Sequence, residues 1–112
     1  MTTHEAAATG ILIPIDESNS PIHHPLYPVL LAAIEQAMFG KGERHGGAVT
    51  PFLDQPWTHY AAMHGRGFLT GQAAKKLEEA ASTRNGAAFE AEVLGAIVYC
   101  GMAILHERAS SD

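Results

Sequence analysis

Residues 87–108 read AAFEAEVLGAIVYCGMAILHER, and the spacing of their apolar side chains predicts one long helix. Two faces of this helix are apolar; one carries Phe89, Val93, Ala96, Ile97, Cys100 and Ile104, and the other carries Leu94, Val98, Met102 and Leu105. A helix that is apolar on two faces is central in a bundle or shared with a partner chain. Gly95 and Gly101 each cost such a helix about 1 kcal/mol against alanine, which predicts close approach of another helix's backbone, with sequence drift as the alternative. The pattern also predicts that Cys100 is a small core residue.

Three shorter helices are predicted before this one. Residues 28–39 carry an apolar stripe at helical spacing and end at two glycines. Asp54 is expected to cap a second helix that has Pro56 in its first turn. A glycine-containing break at residues 64–67 follows, and Thr70 is expected to cap a third helix over residues 71–83.

These elements predict an all-α fold, a small bundle of about four helices with a C-terminal helical hairpin. Residues 25–112 would form a single helical domain, and residues 1–24 an extended N-terminal arm. Residues 11–15 (ILIPI) of this arm read as an edge strand or as a segment laid over a neighbour, and a partly ordered tail is the alternative.

Composition restricts the class of protein. Hydrophobic residues make up 46% of the 112 residues and charged residues only 17%, so part of the apolar surface is expected between subunits of a homo-oligomer. The net charge of −5 argues against general nucleic-acid binding. We see no apolar run of about 20 residues and no basic leader, which predicts a cytoplasmic protein without a membrane partner.

Positive charge is concentrated in the middle of the chain. Residues 1–40 carry −4, residues 41–76 carry +3 and residues 77–112 carry −4. The central part also holds most of the glycines, and backbone N–H groups beside cations are how proteins bind phosphate. The expected ligand is therefore a nucleotide or another phosphorylated small molecule.

The candidate ligand-binding residues come from a glycine-rich loop at residues 40–47 and from the helices around the break. Phosphate would be bound by cations, by the Thr70 hydroxyl and by backbone N–H groups of residues 65–71; the base or sugar would contact aromatic rings and imidazoles. The candidates are Lys41, Arg44, His45, Trp57, His59, Tyr60, His64, Arg66, Thr70, Lys75 and Lys76. The alternatives are an ordinary helix cap, a mobile basic loop, and core packing for Trp57 and Tyr60.

Metal and catalytic residues are not expected. His59 and His64 are five residues apart, which does not place two ligands on one helical face. Glu78 and Glu79 are adjacent and diverge, and Glu90 and Glu92, two residues apart, also diverge, so we expect solvated acidic faces and no cofactor.

Three stretches, FGKGERHG at residues 39–46, KKLEEA at 75–80 and EVLGAIVY at 92–99, resemble the all-α nucleoside-triphosphate pyrophosphohydrolase superfamily, especially its short phage-encoded members. The resemblance implies helical dimers or tetramers and Mg²⁺ held by Glu78, Glu79 and Glu92. The chain departs from the family pattern where Lys75 or Lys76 replaces the first glutamate and Gly95 or Ala96 replaces the aspartate. This departure implies nucleotide binding without metal-dependent cleavage.

Three hypotheses follow. The first is an oligomeric binding protein for a phosphorylated small molecule, such as a phage-type sponge that sequesters cyclic nucleotide immune signals, by analogy of function. The alternative is a Mg²⁺-dependent nucleotide pyrophosphohydrolase. The second alternative is a protein–protein interaction module that uses the last helix.

Overall fold

The computed structural model describes residues 19–39 and 49–110 in full, and the backbone alone of residues 2–5 and 12–15. Four helices make up the fully described part: α1 is Tyr27–Phe39, α2 is Pro56–His64, α3 is Arg66–Ser82 and α4 is Gly86–Ser110. Single 3-10 turns cover Pro21–His23 and Phe52–Asp54. The expected all-α fold of four helices is confirmed.

The N-terminal arm contains two short strands. Strand β1 (Thr2–Glu5) pairs antiparallel with β2 (Leu12–Ile15), with Thr2 opposite Ile15 and Glu5 opposite Leu12. The predicted strand at residues 11–15 therefore coincides with β2. The other arm residues before 19 lie outside the described part of the chain, and so does the alternative of a partly ordered tail.

The C-terminal hairpin of α3 and α4 is confirmed and has the most extensive interface among the described elements. Arg66 at the start of α3 pairs with Glu107 near the end of α4, at 3.0 Å, as antiparallel helices require. The backbone N–H of Ala88 donates to Asn85 Oδ1 at 3.0 Å, which caps the start of α4. Helix α1 packs on another side of α4.

The break between α2 and α3 is shorter than predicted. Gly65 alone adopts a left-handed backbone, with φ of 77°, and α3 begins at the next residue. Thr70 is consequently not an N-cap: it lies inside α3, and its hydroxyl is 3.4 Å from the carbonyl oxygen of Arg66. Asp54 does not cap α2 either, because it belongs to the 3-10 turn and Gln55 occupies the cap position.

The main core cluster joins α2, α3 and α4. It consists of Trp57, Ala61, Leu69 and Met102, with Phe52, Phe68, Val98, Tyr99 and Ala103 packed around it. Leu69 is the largest fully buried side chain among the described residues. This packing explains why α3 continues through Gly67 and Gly71: burial of Leu69 and Ala73 on one face outweighs the cost of two helical glycines.

Two expectations for α4 are wrong. Cys100 is exposed and does not belong to the core. Neither glycine is explained by a neighbouring backbone: the nearest atoms to a Cβ built at Gly95 are side-chain atoms, and nothing lies within 4 Å of one built at Gly101. Space beside α4 is open at Gly101, whereas a Cβ at Gly95 would lie in van der Waals contact with the Lys76 and Gln36 side chains.

Helix α4 bears on the expectation that no apolar run reaches about 20 residues. It is long and apolar enough to cross a membrane, by length and composition only, and 22% of its apolar window is buried. Core helices of water-soluble proteins, which are mostly buried, can be equally long and apolar, and α4 packs on both α1 and α3. The cytoplasmic location therefore stays a prediction.

Candidate ligand-binding cleft

A cleft of about 360 Å³ lies between the last turn of α1, the first half of α2 and the middle of α3 and of α4, beside Phe52 of the 3-10 turn. Four of the residues predicted for one ligand site line it together: Trp57 and Tyr60 from α2, and Lys75 and Lys76 from α3. Spacing along the chain did not imply this juxtaposition, which depends on how α2 folds back against α3.

Aromatic rings form one wall of the cleft, contributed by Phe52, Trp57, Tyr60, Phe68 and Tyr99. Trp57 is buried, its indole N–H donates to the carbonyl oxygen of Phe52 at 2.9 Å, and the two ring centroids are 5.3 Å apart. The Tyr60 and Phe68 rings are tilted by 47° at 5.9 Å. The hydrogen bond fixes the indole, and Trp57 is only 9% exposed and belongs to the core cluster, as the core-packing alternative expects. Tyr60, 48% exposed, is the ring of this wall that a planar ligand could contact most.

The two lysines of the cleft are in different environments. Lys75 is 68% exposed, and its ammonium nitrogen is 3.9 Å from a Glu79 carboxylate oxygen. Lys76 is only 20% exposed and pairs with Glu92 at 3.4 Å and with Glu79 at 3.9 Å. Because exposed ion pairs contribute little, Lys75 can exchange its partner for a ligand at low cost, whereas Lys76 is held between carboxylates.

Gly95 keeps the cleft open on the α4 side. A Cβ at this position would lie 3.4 Å from Cδ of Lys76 and 3.7 Å from Nε2 of Gln36. The Gln36 amide donates to the carbonyl oxygen of Ala91 at 3.0 Å and so ties α1 to α4 beside the cleft.

Polar and aromatic residues that sequence reasoning missed also line the cleft: Gln36, Gln55 and Gln72 carry amides, and Phe68 and Tyr99 add rings. The sequence held one signal for these missed residues: Tyr99 follows Gly95 by four positions, which places both on the same face of α4. Amides can donate and accept hydrogen bonds, which suits the edge of a heterocycle.

The other predicted residues that the structure describes do not line this cleft. Arg66 is engaged with Glu107 at 3.0 Å, and Thr70 bonds within its own helix. His59 and His64 are exposed and contact the outer aromatic rings, His59 against Tyr60 at 5.8 Å and His64 against Phe68 at 6.4 Å.

The glycine-rich loop at residues 40–47, with Lys41, Arg44 and His45, lies outside the described residues. Its contribution to binding therefore stays a prediction. The loop connects Phe39 at the end of α1 with residue 49, and the described chain resumes close to Phe52 of the cleft wall.

The carboxylates of the hydrolase alternative surround a lysine. Glu79 and Glu92 both approach the Lys76 ammonium within 4 Å, and Glu78 is exposed. In the part of the chain that the structure describes, no group of three or more His, Cys, Asp or Glu residues is placed to hold a metal ion. A divalent cation between Glu79 and Glu92 would have to displace the ammonium group first.

No protein-family model, no curated protein and no solved structure matches this chain.

Proposed function

We propose that this protein binds a nucleotide, or a similarly sized phosphorylated molecule with a planar ring, in the cleft between α2, α3 and α4. The observation that carries the proposal is that Trp57, Tyr60, Lys75 and Lys76 line one cavity. Aromatic rings beside cationic side chains suit a ligand that has a flat apolar part and an anionic part.

Each part of the ligand has a counterpart in the cleft. The ring would lie against Trp57 and Tyr60, with the Gln72 amide at its edge. The phosphate would lie at Lys75, which is exposed and held by a single carboxylate at 3.9 Å. A volume of about 360 Å³ fits a ligand of mononucleotide size, since ligand pockets run from about 300 Å³ upward.

Charge balance limits the strength of this interaction. Glu79 and Glu92 neutralise the two lysines before any ligand arrives. A phosphate therefore gains chiefly by replacing Glu79 at Lys75, and at a side chain that is 68% exposed this ion pair contributes up to about 1 kcal/mol. Most of the remaining affinity would come from the aromatic wall, so nucleotides should bind better than inorganic phosphate.

Intrinsic fluorescence tests the proposal directly, because Trp57 is the only tryptophan of the chain and lines the cleft. Titration with linear and cyclic mononucleotides should change the Trp57 emission in a saturable way. The corresponding nucleosides and inorganic phosphate should each bind more weakly than the intact nucleotide. No saturable response from any nucleotide, together with an unchanged Tm, would refute the proposal.

A matched pair of variants assigns the phosphate site. Lys75 and Arg66 are both cations of α3, their side chains are 68% and 67% exposed, and each pairs with one glutamate. Only Lys75 lines the cleft. Lys75→Gln should weaken nucleotide binding by up to about fivefold and Arg66→Gln should leave it unchanged. Equal effects from the two variants would show that binding depends on overall charge and not on this cleft.

The fate of the ligand separates binding from catalysis. After incubation with and without Mg²⁺, the nucleotide is recovered and analysed by chromatography. Intact nucleotide in both samples supports a sequestering protein. Conversion that requires Mg²⁺ and is lost in Glu79→Gln would support the pyrophosphohydrolase alternative.

A further inference from the structure

A second concave surface lies between α1 and α4 and is distinct in character from the ligand cleft. This α1–α4 groove has a volume of about 590 Å³, and Leu30, Ile34, Met38, Ile97, Gly101 and Leu105 form its main surface. Among the residues that the structure describes, Thr50 is the only one with a polar side chain that lines it, and none of the lining residues is charged. An apolar surface of the chain is therefore exposed to water, and no described residue covers it.

Helix α1 is the least covered element around the groove. Ala33 is its only buried residue. Leu30, Ile34 and Leu105 line the groove, Leu26 extends the row by one turn, and these four side chains are 37% to 56% exposed. Monomeric proteins rarely expose contiguous apolar patches of this kind above a few hundred Å².

We infer that the α1–α4 groove is the surface on which a second copy of this chain docks, as the interface of a homodimer. The first argument is area. A fully exposed leucine or isoleucine offers about 200 Å², so these four side chains present roughly 400 Å² per chain and roughly 800 Å² in two copies. A specific interface needs about 1,000 Å² in total, and four residues alone supply most of it.

The second argument is charge. A two-fold dimer brings the same patch of both copies together, so a charged patch would have to meet its own charge. The chain carries a net charge of −5, which makes most contacts between two copies repulsive. The uncharged groove is a surface on which two such acidic chains can approach.

The groove also has space for a side chain from a partner. A Cβ built at Gly101 meets no atom within 4 Å, so the groove is open beside this turn of α4. Leu105 lies one turn further along the same face, and Ile34 faces the groove from α1. A large apolar side chain of the second copy can therefore pack over Gly101.

This inference does not depend on the ligand proposal, although the two surfaces share walls. Phe52, Val98 and Met102 line both the groove and the cleft. Failure of nucleotide binding would leave the dimer inference intact, and a monomeric protein would leave the cleft intact.

Sedimentation equilibrium of the full chain tests the inference. At a chain concentration of about 20 µM, the wild-type protein should have twice the chain mass of 11.9 kDa. Ile34→Glu should give the single chain mass, with a dimer Kd raised by at least about 100-fold, because it would bury a carboxylate in an apolar interface. Circular dichroism should show unchanged helix content, since Ile34 is 56% exposed in the single chain.

Leu77→Glu is the matched control, because Leu77 is 51% exposed on α3 and does not line the groove. This variant should stay dimeric. If Ile34→Glu does not fold, Leu30→Glu, one turn away on the same face of α1, is measured in its place. A monomeric wild-type chain, a dimer that survives both groove substitutions, or co-sedimentation of the wild-type chain with phospholipid vesicles in place of self-association would overturn the inference.

Discussion

Truncation of Leu69 should be among the most destabilising single changes in this chain. Its side chain is 0% exposed and packs in the cluster with Trp57, Ala61 and Met102, where α3 meets α2 and α4. Leu69→Ala removes three carbon atoms from this contact, and the surrounding helices cannot fully close the space. Substitutions of this kind cost about 3–5 kcal/mol, the transfer free energy plus the cavity.

The corresponding shift in Tm follows from the length of the chain. An unfolding entropy of about 2.1 cal/mol/K per residue gives roughly 0.24 kcal/mol/K for 112 residues, so each kcal/mol lowers the Tm by about 4 °C. Leu69→Ala should therefore lower the Tm by roughly 12–20 °C. Native domains are stable by only about 5–15 kcal/mol, so this is a large part of the total.

Urea unfolding at fixed chain concentration, followed by Trp57 fluorescence and by helical circular dichroism, measures the effect. Fixed concentration matters because self-association would add to the apparent stability. Leu69→Met should cost less than about 1.5 kcal/mol because it conserves volume. Leu77→Ala, at a half-exposed position of the same helix, should cost less than about 1 kcal/mol. A loss below about 1 kcal/mol for Leu69→Ala, or one equal to that of Leu77→Ala, would refute the placement of α3.

Three further predictions concern the helices that frame the cleft. Gly95→Ala and Gly71→Ala should each raise the free energy of unfolding by up to about 1 kcal/mol, because both lie in helices without left-handed backbone. Only Gly95→Ala should also weaken the fluorescence response to nucleotides, since its methyl group enters the cleft beside Lys76. Destabilisation by Gly71→Ala would contradict the placement of Gly71 inside α3. Asn85→Ala should lower stability to thermal unfolding by about 1 kcal/mol through loss of the α4 cap, and Asn85→Asp should retain it. In a double-mutant cycle with Lys76→Met and Glu92→Gln, the pair should show a favourable coupling of about 1 kcal/mol, and a coupling of zero would mean that the 3.4 Å contact does not persist in solution.

The first and last helices of the chain could be predicted because the sequence patterns that mark them are local. The apolar spacing and the glycines after Phe39 correctly placed α1, and α4 differs from its predicted range only by one residue at its start and two at its end. Helical periodicity depends on residues three and four positions apart, so it can be read without knowledge of the rest of the chain.

The middle of the chain was predicted less well because packing there overrides local preference. Gly67, Thr70 and Gly71 all favour a helix end, yet they lie in α3, since Leu69 and Ala73 are buried against its neighbours. The helix start on which the predicted anion site depends lies at Arg66 and not at residue 71, so Thr70 does not cap it, and the site itself stays a prediction. The prediction that Cys100 is buried failed for a related reason. The periodicity of α4 shows that it has two apolar faces, and it does not show which of them other helices cover.

Composition, the all-α class and the identity of the aromatic and cationic candidates could thus be read from the order of residues. The order of residues does not show which of those candidates lie together in one cleft. Trp57, Tyr60, Lys75 and Lys76 lie on two helices joined at Gly65, and the angle of that junction brings them to one cleft while it directs Arg66 to Glu107. Such an angle is set by burial of Leu69 and Trp57 against α4, a contact between residues far apart in sequence, and therefore only the folded chain selects among the candidates.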